Sequence, residues 1–130
     1  MRRDDMEACR IRGAGVLLPV SALPSPYGIG TLGNAAYRFI NQLHAAGQTY
    51  WQVLPIGPTG FGNSPYQSYS AFAGNPYFID LDRLAEQGLL TQNDILKFDW
   101  GENRSCISYD KIAEHRLQLL QTAYENSNHL

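Results

Sequence analysis

An apolar run, a helical stretch and a second apolar run, in that order, constrain this chain more than any other feature. Gly15-Val16-Leu17-Leu18-Pro19-Val20 carries no charge and reads as a strand buried on both faces. Ala36, Phe39, Ile40 and Leu43 then recur at helical spacing, with Asn34 as the expected N-cap and Gly47 as the expected terminator. Thr49 to Leu54 forms the second strand. This order predicts a βαβ unit with parallel strands and a right-handed crossover. Two parallel strands alone leave their outer edges bare, so the pattern predicts the front end of a larger α/β protein.

The rest of the chain reads as helices and connections. Asp82 to Gln87 is a short helix ended by Gly88, and Thr91-Gln92-Asn93-Asp94 has the form of a capping box opening another. Arg104 to Ser108 is a polar connection. Tyr109, Ile112, Ala113, Leu117, Leu120 and Tyr124 mark the apolar face of a longer amphipathic helix, followed by a polar tail from Glu125 to His129. Residues 1–12 form a polar, unpatterned leader, and residues 13–130 form the structured part.

Composition excludes several functions. The 130 residues suit one modest domain or a piece of a larger one. The net charge is -2 and the basic residues are scattered, which argues against a nucleic-acid or anionic-membrane surface. No signal-peptide core or spanning run is present. Cys9 and Cys106 lack metal spacing and read as free thiols of a reducing compartment, so a cytoplasmic location is expected.

The acidic residues are unevenly placed, with no Asp or Glu between Glu7 and Asp80. Within that interval only His44 offers acid–base chemistry, and it sits in a helical pattern. The same interval holds the most suggestive loop, Asn63 to Tyr77, which is rich in Tyr, Ser and Asn and has no charge. Rings that stack on C–H faces, beside amides and hydroxyls, suit a neutral polyhydroxylated ligand. Long loops of this kind are often functional. Phe72, flanked by Ala71 and Ala73, reads as packing, as do Tyr77, Phe78 and Trp51. Tyr66, between Pro65 and Gln67, is the ring with a phenol to place.

Gly28-Ile29-Gly30-Thr31-Leu32-Gly33 matches G-x-G-x-x-G ahead of a helix. It lies well past the end of the first strand, and the second strand ends in Leu54-Pro55-Ile56 where a ribose-binding acid belongs. A Gly-rich turn that sets up a helix is the better reading.

Arg12 to Pro19, Pro26-Tyr27-Gly28-Ile29-Gly30, Gly47 to Pro55, Gly57-Pro58-Thr59-Gly60, Ser64 to Ser68 and Ser70 to Pro76 together resemble the opening of the 4-α-glucanotransferases, the amylomaltases and disproportionating enzymes. The resemblance runs from about Gly13 to Leu84 and thins beyond it. It implies an incomplete (β/α)8 TIM barrel whose site is built from loops at the C-terminal ends of the strands. It implies transfer of α-1,4-glucan segments by a retaining double displacement between two carboxyl groups. The family's catalytic acids lie downstream of the matched region, so no catalytic residue is expected here and the chain alone is expected to be inactive.

What the resemblance carries over is binding of maltooligosaccharides or α-1,4-glucans. Ser64 and Tyr66 take positions lining the donor subsites, with Tyr66 against the sugar at the reacting centre. Phe61 takes a position, often Tyr, in a remote aromatic glucan-contact site, and Tyr109 corresponds to that site's second ring. No cofactor, metal, nucleic acid, membrane or obligate protein partner is expected. The competing expectation is a non-catalytic glucan-binding module of the same descent.

Overall fold

The computed structural model describes residues 12–101 and 106–127. Most of the expected leader, including Cys9, and Arg104 and Ser105 of the expected Arg104–Ser108 connection lie outside them.

The βαβ unit is present. Strand β1 (Gly15–Leu17) pairs in parallel with β2 (Tyr50–Gln52), placing Gly15 beside Tyr50, Val16 beside Trp51 and Leu17 beside Gln52. Backbone bonds from Thr49 to Ala14 (2.8 Å) and from Leu18 to Gln52 (3.0 Å) extend the pairing at both ends. Helix α1 (Asn34–Ala45) makes the crossover.

Both strands are shorter than expected, and β1 is exposed rather than buried on both faces. Pro19 offers no N–H to continue the ladder, and the chain turns into a 3-10 helix over Val20–Ala22. A two-stranded sheet has no neighbours to cover Val16 and Leu17, so their apolar character alone buries neither.

Helix ends follow local chemistry, with one exception. Gly47 has φ +68, and bonds from Gly47 to His44 and from Gln48 to Leu43 form the expected Schellman closure. At the other end the N-cap is Gly33, not Asn34, and no side chain caps the helix. A Cβ at Gly33 would run into the Asp80 carboxylate, so a tertiary close approach fixes this position. Helix α2 (Leu81–Glu86) begins one residue early because Asp80 caps it, accepting from the Arg83 N–H at 3.1 Å. Helix α3 (Gln92–Leu96) opens with the reciprocal Thr91–Asp94 capping box.

Helix α4 (Tyr109–Ser127) runs through the first residues of the expected polar tail. Its buried face differs from the one read in the sequence: Ile112, Arg116, Leu119 and Ala123 are inside, whereas Leu117 and Tyr124 are exposed. Arg116 occupies the position that shifts the stripe, and a charged residue is normally assigned to the surface.

The main core joins Tyr27, Ile29, Leu81, Leu90, Ile95, Trp100, Ile112, Leu119 and Ala123, with Tyr77 and Phe78 packed against it. A smaller cluster of Val20, Leu23 and Ala36 lies under the strand ends, backed by Phe39 and Trp51. Trp51 acts as packing: its indole N–H donates to the Leu18 carbonyl at 2.8 Å and its ring meets Phe39 edge-on. Among the described residues no helix is long and apolar enough to cross a membrane.

Candidate functional site

The uncharged loop leaves the C-terminal end of β2 and returns through a 3-10 turn at Pro76–Phe78 into α2. Its two feet are tied where the Asn75 N–H donates to the Ile56 carbonyl at 2.8 Å. Higher up, Thr59 and Ser68 form an antiparallel bridge. Two turns shape the tip between them. One closes from Asn63 to the Gly60 carbonyl, with Gly62 (φ +84) and Asn63 (φ 55) in left-handed conformations. The other closes from Gln67 to the Ser64 carbonyl across Pro65, whose fixed φ suits that corner.

Ser68 and Ser70 build this shape. Ser68 Oγ donates to the Ser70 carbonyl at 2.7 Å, and Ser70 Oγ accepts from the Phe72 and Ala73 amides at 3.3 and 3.1 Å. Asn75, buried, accepts from the Tyr77 N–H at 3.0 Å. The side chains of Ser68, Ser70 and Asn75 thus satisfy the loop's own backbone.

The rings do the reverse. Phe61, Tyr66, Tyr69 and Phe72 all point outward, Tyr66 at 73% exposure. Phe72, expected to pack, is fully exposed, because the Ser70 turn directs its segment away from both cores. Ser64 is half-buried at the base of its turn.

Tyr109, at the start of α4, is half-buried, and burial pushes its phenol above the usual tyrosine value. It lines a cavity of about 160 Å³ with Ser21, Leu54, Thr59, Asn63 and Pro65, directly beneath the loop. The structure therefore brings Tyr109 to the underside of the turn that carries Ser64 and Tyr66. Phe61 lies at the loop surface and forms no ring pair with Tyr109.

Four aspartates are engaged in structural contacts. Asp80 accepts from Thr31 Oγ1 at 2.5 Å while capping α2, and Asp82 accepts from the Tyr27 phenol at 2.5 Å. Burial, followed by that bond, pushes Tyr27 up to about 12. Asp94 serves the capping box, and Asp99 pairs with Lys111. Among the described residues no three His, Cys, Asp or Glu side chains converge as metal ligands.

The glycines of the G-x-G-x-x-G stretch meet the chain itself. Added Cβ atoms would strike the Trp100 carbonyl at Gly28, the Val20 carbonyl at Gly30 and Asp80 at Gly33. Sequence reasoning missed the ties holding the loop's return, from Thr31, Leu32 and Arg116 to Asp80, Phe78 and Ile79. No pattern in the sequence announces them, because each joins residues far apart in the chain.

Parallel strands joined by a helix, with an uncharged, ring-bearing loop at their C-terminal end, define a βαβ segment of an α/β protein. A profile of the 4-alpha-glucanotransferase family matches residues 18–130, and the chain belongs to that family. The 4-alpha-glucanotransferase of Clostridium butyricum is 52% identical over 84% of this chain and 22% of its own length. That of Aquifex aeolicus is 47% identical over 89% of this chain and 24% of its own. The amylomaltase of Streptococcus agalactiae, solved in complex with acarbose, superposes with a TM-score of 0.85 at 40% identity, covering 88% of this chain and 23% of that one. The chain thus spans about a fifth to a quarter of the length of these relatives.

Proposed function

We infer that this segment opens a (β/α)8 barrel that transfers α-1,4-glucan segments between maltooligosaccharides by a retaining double displacement. The observation that carries the reading is the outward Tyr66 ring, on a loop tied at both feet, at the C-terminal end of β2 in a chain of this family. That end of the strands is where such barrels build their sites.

In this reading the chain supplies walls and not the reacting carboxylates. Ser64 and Tyr66 line the donor side, with the Tyr66 face against a sugar ring. Phe61 offers a stacking surface away from it. Tyr109 supports the loop from below and, through the resemblance, belongs to the remote contact. Two carboxyl groups about 5–5.5 Å apart are needed for retention, and the described aspartates near the loop are engaged as caps and partners. The bare edges of β1 and β2 are where further barrel strands would pair.

Incubation of the complete polypeptide carrying this segment with maltotriose, followed by glucose and longer maltodextrins, tests the reading. Disproportionation by the complete polypeptide and none by residues 1–130 is expected. Comparable turnover by residues 1–130 would place the catalytic groups inside them.

A second reading, a non-catalytic glucan-binding module, is favoured by one observation. The nine-residue main core is assembled without either strand. A cooperative thermal transition of residues 1–130, raised by maltooligosaccharide, would support it.

A further inference from the structure

The return of the loop is pinned at three consecutive residues from two separate parts of the chain. The Phe78 carbonyl accepts from the Leu32 N–H at 3.0 Å. The Ile79 carbonyl accepts from Arg116 Nη2 at 2.5 Å. The Asp80 carboxylate accepts from Thr31 Oγ1 at 2.5 Å. Two of these ties come from the segment ahead of α1, and only Arg116 reaches in from α4.

Arg116 is unusual among the three. It has no exposed surface, and it is one of the largest fully buried side chains. Its Nε and Nη1 are buried with no partner among the described residues, so its burial there is compensated by one hydrogen bond, to Ile79, and by the nearby Asp80 charge. Desolvation brings its pKa down to about 10, partly offset by Asp80. Burying a cation so sparsely partnered is costly, and an apolar side chain of similar volume is often as good or better for stability. Stability alone therefore does not account for an arginine at this position.

We propose that Arg116 is a positioning residue for glucan transfer, fixing the return of the Ser64–Tyr66 loop to α4 through the Ile79 carbonyl. The proposal rests on the glucanotransferase reading, since it assigns the loop to the donor side of that reaction. Ile79 lies four residues past Asn75, whose amide ties the two feet of the loop together at Ile56. A shift at Ile79 is thus transmitted to the loop's closure and to the ring of Tyr66. Small misplacements of substrate-positioning groups cost as much as ~100-fold in rate.

Two variants of the complete polypeptide test it. Arg116→Met keeps the volume and removes the donor, whereas Arg116→Lys keeps a cation and one donor able to reach Ile79. On maltotriose, Arg116→Met should lower kcat by about tenfold or more with its thermal transition retained, and Arg116→Lys should recover much of the loss. Hydrogen exchange in Arg116→Met should quicken over residues 56–80 and not in α3.

A folded Arg116→Met with wild-type kcat would overturn the proposal, as would faster exchange spread evenly through the core. If Arg116→Met does not fold, Arg116→Lys decides. In that variant kcat and exchange over 56–80 must move together: both unchanged, or kcat reduced with faster exchange confined to 56–80, supports the role, and a change in either one without the other overturns it. If the unsubstituted polypeptide does not disproportionate maltotriose, the glucanotransferase reading fails instead, and the exchange pattern still judges Arg116 as the anchor of the loop.

Discussion

The amide of Asn75 donates to the carbonyl of Ile56 at 2.8 Å, so the loop that carries Tyr66 is closed at its base by its own backbone. The Asn75 side chain then caps the following 3-10 turn through the Tyr77 N–H. One buried residue therefore shuts the loop and starts its return to the core.

Asn75→Ala should lower stability by about 1 kcal/mol, the usual cost of losing such a cap. Denaturant titration of the complete polypeptide measures it. Proteolytic nicking within residues 57–74 should rise in parallel, because the foot of the loop loosens first.

Tyr66→Ala should reduce disproportionation of maltotriose by at least ~10-fold while leaving the thermal transition in place. The ring is 73% exposed, so its removal empties no core. Unchanged kinetics would show that the ring does not meet the sugar at the reacting centre.

Trp51→Phe should destabilise by about 1–3 kcal/mol, because it leaves the Leu18 carbonyl without its indole donor. The edge-on contact with Phe39 is weakened as well. A lowered denaturation midpoint with an unchanged m-value is the expected result.

Asp94 gives a pH dependence of known sign. Its bond from Lys97, then those from Thr91, lower its pKa from 3.8 to about 2. A folded value below the unfolded one contributes stability that is complete above about pH 4 and is lost as pH falls through about 2. Asp94→Asn should flatten this part of the stability curve, read by thermal melts across the acid range.

Gly30→Ala should destabilise by about 1–3 kcal/mol or more, the usual range for overpacking. The new methyl group would meet the Val20 carbonyl and the Leu23 backbone. These are backbone atoms, which move less readily than the end of a flexible side chain.

Where local chemistry decides the outcome, sequence and structure agree. The Thr91–Asp94 box and the left-handed glycines at 47 and 88 form where their residue types require. The parallel pairing of β1 and β2 likewise follows from a helix-length crossover. Disagreements arise where a distant neighbour decides. Gly33 displaces Asn34 as N-cap because Asp80 lies against it. Arg116 takes an inward position on α4 that composition assigns to the surface, and Leu117 and Tyr124 turn outward as a result. Phe72 is exposed although its neighbours are apolar.

The sequence by itself determined the βαβ order, the helix ends closed by Gly47 and Gly88, and the family, because turn chemistry, periodicity and runs of shared residues are local properties. It also identified Ser64, Tyr66, Phe61 and Tyr109 as candidates through resemblance. Only the tertiary structure decided that Ser68 and Ser70 serve the loop's own backbone, that Tyr109 lies beneath the Ser64–Tyr66 turn, and that a buried arginine from the last described helix holds the loop's return. Those relations depend on which segments meet in space, and burial and hydrogen bonding across long stretches of chain fix that.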